Sequence, residues 1–428
     1  MEKLSAALAA IVGGEHVDAP PAAAYLHDAT IARGLRGRAA AVVRPADAEE
    51  VRRVVEWCYE HGVPIVPRGG GSGLAGGAVP LDGRALVLSL ERLTRIRSFE
   101  PELWRINLEA GVLTSHVQRL ARENGLWFPP DPGAAEQSQI GGNAATNAGG
   151  PHAFRHGQTG AWVTGVEAVV APGRLVSFGG PVRKDVAGYD LKDLMVGSEG
   201  TLGVITALWL RLIPAPAHRE VVVAFFDSVV AGCNAVLEVI ATGLRPSALE
   251  FLDGRSFAAA AAGYPGDAPR DPALVLISEY VDERPEVSGD RPDPQALWRW
   301  RDTVHGAVTS QRGGKLSEDI AVPVERLAEA LERLREIGDA HGLETCAWGH
   351  AGDGNLHATF MIAPDQAARA EAAAAELLAM AVELGGTATG EHGIGWLKRG
   401  HVPVAHGLNA AVKAAFDPKG LLNPGKKS

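Results

Sequence analysis

The sequence predicts two domains, each mixing strands with helices, and three observations carry that expectation. At 428 residues the chain is too long for one ordinary core. Pro214 and Pro216 interrupt it just after a long strand-like run, which places a boundary there. On both sides of the boundary, runs of period two alternate with runs of helical period.

The opening MEKLSAALAAIVGGEHV has a short apolar run broken by Gly13, Gly14 and Glu15, so it reads as a short helix rather than a signal peptide. Ala39–Val43 reads as a strand. Asp47-Ala-Glu-Glu50 is a capping-box pattern opening a helix with Val51, Val54, Val55 and Cys58 on its apolar face, and Gly62 closes it. Strand Val63–Val66 leads into PRGGGSGLAGG (67–77). Strands Ala85–Leu90 and Trp104–Leu108 follow, then a helix Thr114–Asn124. A second loop rich in glycine and asparagine, IGGNAATNAGG (140–150), precedes strands Gly165–Val170 and Gly203–Leu212, with a turn at Pro172-Gly173. Beyond the boundary, Val221–Phe226, Leu274–Tyr280, Thr345–Trp348 and Asn355–Ile362 read as strands. Ser228–Thr242, Pro323–Ala340 and Gln366–Leu384 read as helices, and the polar, proline-rich 282–294 as a surface loop.

A net charge of −10 argues against a nucleic-acid partner, which needs clustered lysine and arginine. Cys58, Cys233 and Cys346 are too few and too scattered for a disulfide framework or an iron–sulfur cluster, which implies a reduced, cytoplasmic setting. No run of about 20 apolar residues is present to span a membrane.

Gly71-Ser-Gly73-Leu-Ala-Gly76 matches G-x-G-x-x-G, which by itself is a weak signal. A dinucleotide-binding βαβ unit needs a helix to open right after the loop, but Pro80, Gly83 and a strand follow. The nicotinamide reading therefore fails. What remains is a glycine-rich stretch whose N–H groups can converge on an anion, a diphosphate being the natural guest. The bland alternative is a surface linker, and Pro67 and the flanking strands argue against it.

Further on, GHAGDGNLH (349–357) places His350 and His357 seven apart, and TGEHGIG (389–395) places Glu391 beside His392. Neither spacing is a helical i,i+4 pair, so these side chains are expected from loops or strand ends. Two imidazoles and a carboxylate form a common three-ligand set for a divalent metal with positions left open. Zn²⁺ fits best, and Fe²⁺ and Mn²⁺ are chemically admissible. On spacing alone, two histidines hydrogen-bonded within loops explain the pattern as well.

The motifs together resemble one family. PRGGGSGLAGG, PPDPGA (129–134), IGGNAATNAGG, KDVAGYDLKDLMVGSEGTLGVIT (184–206) and FDPKGLLNPGK (416–426) occur in the order found in the FAD-linked oxidase superfamily, typified by vanillyl-alcohol oxidase. The chain is most similar to the branch that holds the FAD subunit of glycolate oxidase, D-lactate dehydrogenase and D-2-hydroxyglutarate dehydrogenase. The resemblance implies a two-domain α+β fold. An FAD-binding domain spans 1–215, a cap domain on an antiparallel sheet spans 216–415, and a tail, 416–428, returns to the FAD domain. It implies that Arg68, Gly69, Gly70, Gly71, Ser72, Gly73, Gly76 and Gly77 hold the diphosphate. By the same resemblance Pro130, Gly142, Asn143, Thr146 and Asn147 line the cofactor, Gly203 and Ile205 sit near its adenine or ribitol side, and Asn423 sits near the isoalloxazine. The first loop has no histidine for covalent attachment, so FAD is expected to bind non-covalently.

The resemblance also makes His350, His357 and Glu391 the metal ligands and His392 the catalytic base. The implied reaction is oxidation of a small D-2-hydroxy acid to the 2-keto acid. A metal lowers the pKa of the 2-hydroxyl, neutral His392 takes its proton, and the C2 hydride passes to flavin N5. Arg301, in the aromatic-rich LWRWRD, suits the substrate carboxylate, with Arg312 and Lys315 as weaker candidates and an ordinary surface helix as the plain alternative. Dicarboxylate-specific relatives carry a lysine shortly before a Pro-Val-Glu-Arg stretch and an asparagine just beyond the second metal histidine. Here Lys315 is out of register with PVERL (323–327), and Thr359 stands two after His357, so glycolate or D-lactate fits at least as well as 2-hydroxyglutarate. The electron acceptor is left open among a quinone, a cytochrome and an electron-transfer protein. A homodimer and a peripheral position at the inner face of a membrane are compatible with the sequence. Two rival readings remain: an FAD subunit needing partner chains with iron–sulfur clusters, and a flavin-free metal protein.

Overall fold

The computed structural model describes residues 2–401 and 406–427. The chain forms two compact units. The first comprises Met1–Ala148, Gln158–Ala215 and Glu391–Ser428, and the second Gly149–Gly157 and Pro216–Gly390. The units divide at Ala215/Pro216, beside the two prolines. Residues 391–415 group with the first unit rather than with 216–390, and 149–157 group with the second, because these segments make their close contacts there.

In the first unit, strands β1 (Val17–Asp18), β2 (Ala41–Val43), β3 (Ile65–Arg68) and β4 (Leu86–Ser89) form a sheet in the order β1-β2-β4-β3, with β2, β4 and β3 parallel. Such strands are covered on both faces, which is why they read as continuous apolar runs rather than alternating ones. The helix Ala48–His61 makes the crossover. Asp47 Oδ1 accepts from Glu50 N at 2.9 Å, the N-cap half of the expected box, while Glu50 Oε2 accepts from Ala46 N at 2.7 Å, one residue before the cap rather than at it. A second, antiparallel sheet takes β5 (Ile96–Glu100), β6 (Arg105–Glu109), β8 (Val163–Val170), β9 (Arg174–Gly179) and β10 (Val204–Arg211) in the order β5-β6-β10-β8-β9. The short β7 (Leu126–Trp127) and β11 (Ile213–Pro214) pair with each other. One apolar core joins both larger sheets, including Val54, Leu86, Leu108, Val169 and Leu208.

Part of the second glycine loop is a helix instead, Ile140–Thr146. Its Ile140 and Ala144, four apart, are fully buried in this core, and burying that face outweighs the poor helix propensity of Gly141 and Gly142.

The second unit is built on a six-stranded antiparallel sheet. Its strands are β12 (Arg219–Phe226), β13 (Ala248–Asp253), β14 (Leu274–Val281), β15 (Gly314–Ala321), β16 (Glu344–His350) and β17 (Asn355–Ile362), in the order β12-β14-β13-β16-β17-β15. Successive side chains point to opposite faces. Leu249, Phe251, Leu316, Ile320, Ala347, Leu356, Ala358 and Phe360 point to one face and pack against helices Val229–Ala241, Leu327–His341 and Ala367–Glu383. The opposite face packs part of its length on helices Gly254–Ala260 and Pro294–Arg312 through Leu252, Val275, Trp300 and Val304. The rest of that face is polar. Strands β13 and β15 escape a sequence reading because Glu250 and Asp253 in one, and Lys315, Glu318 and Asp319 in the other, make them look like loops.

Candidate active site

In the first unit, the glycine loop leaves the end of β3 and walls an open cleft. Arg68, Gly69, Gly70, Gly71, Ser72, Gly73 and Gly77 line one side. Gly142, Asn143, Thr146, Gly203 and Ile205 line the others, together with Ser138, Gln139, Glu199 and Gly200, which the sequence reading missed. His392 is on the same wall. The loop runs against backbone: a Cβ at Gly70 would lie 2.1 Å from the Gln137 carbonyl oxygen. Among the described residues, the backbone N–H groups of Gly70, Gly71, Ser72 and Gly73 donate to no protein acceptor. Gln139 Oε1, buried on the same wall, also lacks a partner. A run of unspent donors without side chains suits a diphosphate, so the residues present fit the dinucleotide.

Several expected cofactor residues also make contacts within the protein. Arg68, on the cleft wall, also donates from Nη1 to His27 O at 2.7 Å and from Nη2 to Ala24 O at 2.9 Å. Gly76, Pro130, Asn147 and Asn423 do not line the cleft. Pro130 is buried, and its carbonyl accepts from Gln118 Nε2 at 2.9 Å. Asn147 closes the 140–146 helix at φ 54° and grips Gln158 and Gly160 at 2.8 Å each. Asn423 is buried, its Nδ2 donating to Gly77 O at 3.0 Å and Glu199 O at 2.7 Å, which braces the loop. Lys426 does the same, donating to Gly76 O at 2.7 Å and Val79 O at 2.6 Å, and burial pushes its amine down to about 8. Leu422 pairs with Ile65 in parallel, so residues 421–426 lie beside β3.

His392 owes its place to Glu199. The Glu199 carboxylate accepts from Ile394 N at 3.0 Å and Gly395 N at 2.7 Å, pinning the turn just after the histidine. Gly395 lets that turn press on the loop, since a Cβ there would lie 2.2 Å from the Ala75 carbonyl oxygen. Trp396 N donates to the same oxygen at 2.8 Å. Glu391 is the neighbour of His392, with 3.8 Å between carboxylate and imidazole.

In the second unit, strand register assembles the polar face. Glu250 stands opposite His350, Trp348 opposite His357, and His357 opposite Asp319. His350 ends β16, while His357 is the third residue of β17, inside a strand rather than in a loop. Their rings meet edge to face at 5.3 Å, and each offers a ligand atom within 4.8 Å of the other's. Two imidazoles so placed suit a divalent ion of borderline softness, so these residues fit a metal. Glu250 is fully buried and binds on both sides. Oε1 accepts from His350 Nδ1, and Oε2 accepts from Arg301 Nε at 3.1 Å and Nη2 at 2.6 Å. Burial alone would raise this carboxyl, but His350 and Arg301 together hold it below the ordinary range. Arg301, on the helix 294–312, thus already spends one edge of its fork on protein.

Two further acids organise this face, and sequence reasoning singled out neither. Glu279 accepts from Trp298 Nε1 at 2.5 Å, Arg219 Nη1 at 2.9 Å and His152 Nε2 at 3.2 Å, tying the 149–157 segment to β14. Asp319 accepts from Asn355 Nδ2 at 2.6 Å, Thr389 Oγ1 at 2.8 Å and Gly390 N at 2.9 Å. Glu391 is the next residue along the chain. Lys315 lies over the Trp348 ring at 4.5 Å, with burial pushing its amine down to about 8. Ser317 Oγ and Thr359 Oγ1 share a hydrogen bond of 2.8 Å across β15 and β17.

Among the described residues no helix is long and apolar enough to cross a membrane. All three cysteines are buried and free.

Known proteins match this architecture along its length. Residues 39–179 match the FAD binding domain family, and residues 215–291 and 284–427 match the FAD linked oxidases, C-terminal domain. The chain is 36% identical to glycolate oxidase subunit GlcD of Bacillus subtilis over 90% of this chain and 88% of that one. It is 35% identical to a D-lactate dehydrogenase of Archaeoglobus fulgidus over 95% and 96%. It is 34% identical to a D-2-hydroxyglutarate dehydrogenase of Xanthomonas citri over 90% and 88%. Among solved structures, 4-ethylphenol oxidase from Gulosibacter chungangensis superposes with a TM-score of 0.79 at 18% identity, covering 99% of this chain and 96% of that one, a likeness of fold. With its FAD-binding and C-terminal domains both matched, and glycine cleft and polar sheet face in place, the chain belongs to the FAD-linked oxidase family of flavin-dependent oxidoreductases.

Proposed function

We propose that this protein oxidises a small D-2-hydroxy acid to the 2-keto acid, using non-covalent FAD and a divalent metal, Zn²⁺ first among the candidates. The observation that carries the reading is His392 on the wall of the glycine cleft, held there by Glu199. The names of the relatives support the substrate class, since glycolate, D-lactate and D-2-hydroxyglutarate are all 2-hydroxy acids.

FAD supplies the acceptor for the C2 hydride, at N5, and a divalent ion supplies Lewis acidity that lowers the pKa of the hydroxyl. The protein's own groups do the rest. His392 accepts the hydroxyl proton, as an imidazole can near neutral pH. His350, His357 and Glu391 supply the metal's ligands. The pairing of the two imidazoles and the anchoring of Gly390 by Asp319, one residue before Glu391, favour that set. Arg301 binds the substrate carboxylate through Nη1, its Nε and Nη2 being engaged by Glu250. The Ser317–Thr359 pair puts two short hydroxyls beside His357 in the sheet, which fits a short monocarboxylate at least as well as a dicarboxylate. The glycine loop holds the diphosphate without a covalent link, having no histidine.

The test is the visible spectrum of the purified flavoprotein without oxygen, titrated with glycolate and with the D- and L-forms of lactate and 2-hydroxyglutarate. Bleaching by glycolate or by one D-acid is the expected result. Bleaching by none of them, with the flavin spectrum present and metal loaded, overturns the substrate class. A second reading is favoured by the B. subtilis relative being named a subunit: the chain passes its electrons to partner chains carrying iron–sulfur clusters. In that case substrate still bleaches the flavin, but the isolated chain fails to reduce artificial acceptors in turnover.

A further inference from the structure

Glu250 is a fully buried carboxylate in the middle of β13, on the polar face of the second unit's sheet. A buried charge persists only where partners compensate it, and here two different groups, a neutral imidazole and a guanidinium, donate to one oxygen each. His350 lies directly opposite in the register and donates Nδ1–H to Oε1. Arg301 reaches across from the helix 294–312 and closes on Oε2 with Nε and Nη2. An ionised carboxylate only accepts, so Nδ1 must carry the hydrogen. The lone pair of His350 is thereby confined to Nε2, in a ring whose rotation is stopped. The same carboxylate fixes Arg301 at a short distance along the same face.

We propose that Glu250 is the positioning residue shared by the metal ligand His350 and the substrate-binding Arg301. It selects the His350 tautomer that can bind metal and it sets the Arg301 rotamer. One anion therefore couples metal affinity to carboxylate recognition. This rests on the ligand and substrate roles proposed above for His350 and Arg301. A carboxylate behind a ligating histidine raises the histidine's basicity and orients it, and losing such a partner typically weakens metal binding about 10–100-fold.

The experiment measures Zn²⁺ affinity on the intact, metal-stripped flavoprotein by competition with a chromophoric chelator. Wild type is compared with H350A, E250Q, E250D and the double variant E250Q/R301M. Glutamine offers one acceptor and one donor, so it cannot serve both partners. E250Q is expected to bind Zn²⁺ about 10–100-fold more weakly than wild type, with E250D, which keeps the charge, recovering part of the loss. H350A is expected to lose the site. Should E250Q fail to accumulate as flavoprotein because Arg301 is left without its carboxylate partner, E250Q/R301M removes that cation and is read in the same way. Wild-type Zn²⁺ affinity in E250Q while H350A has lost it overturns the role of Glu250 alone. Wild-type affinity in H350A overturns the ligand assignment itself, and the positioning role with it.

Discussion

The cleft of the first unit and the polar face of the second are built from different materials. The cleft is backbone: glycines with unspent N–H groups, packed against carbonyls and propped from behind by Asn423 and Lys426. The face is side chain: Glu250, Glu279 and Asp319, each buried and each holding cations, indoles or loop amides in place. Backbone recognition suits a ligand that never changes, whereas side-chain recognition can be retuned by single substitutions. The two regions should therefore fail in different ways.

The largest effect is expected at His392, the side chain on the cleft wall that is proposed as the base. His392→Ala should slow flavin reduction by about 10²–10⁴-fold while FAD stays bound, read by anaerobic stopped flow alongside the flavin spectrum. Reduction at the wild-type rate would remove His392 from the mechanism. On the face, His350→Ala or treatment with a chelator should abolish metal content and turnover with the flavin spectrum unchanged. Metal analysis showing full occupancy in the variant would undo the ligand assignment. In the backbone region the expected loss is of cofactor, not of rate alone. Gly70→Ala forces a methyl onto the Gln137 carbonyl and should cost about 1–3 kcal/mol in overpacking, seen as protein purified with little flavin. A Gly70→Ala protein retaining full FAD would mean that the loop yields more easily than its contacts imply.

A smaller effect concerns acid. His156 lies in the 149–157 segment, near Ser247, and burial pushes its pKa from 6.5 down to about 4, with His152 adding to the shift. The unfolded chain takes up that proton more readily than the folded one, so the second unit should lose stability as pH falls from about 6.5 through 4. Melting curves across that range should be flatter for His156→Gln than for wild type, and identical slopes would show that the histidine does not govern the segment.

The cleft was far more legible in the sequence than the face. Glycine-rich loops announce themselves, because few other residues tolerate a carbonyl at the distance seen at Gly70. The helix 140–146 was hidden by the same glycines. Two of its apolar positions, Ile140 and Ala144, were the available clue. On the face, His350 and His357 stood out as residue types, whereas Glu250, Glu279 and Asp319 did not. Each is an acid inside a strand, and the partners that hydrogen-bond it lie far off in the chain: Asn355 is 36 positions from Asp319, Arg301 is 51 from Glu250, and His152 is 127 from Glu279. Arg301 was visible, but its partner was not, since nothing in LWRWRD points to position 250.

The brace formed by residues 421–426 also sets a clock. Lys426 meets the carbonyl of Gly76, 350 positions earlier, so at roughly 5–20 residues per second of synthesis the glycine loop waits roughly 20–70 s for its support. A nascent chain that has emerged only as far as the first unit's sheets holds the motif but not the finished cradle. Flavin loading is thereby expected to wait for residues 421–426, and a ribosome stalled short of residue 421 should carry a colourless chain.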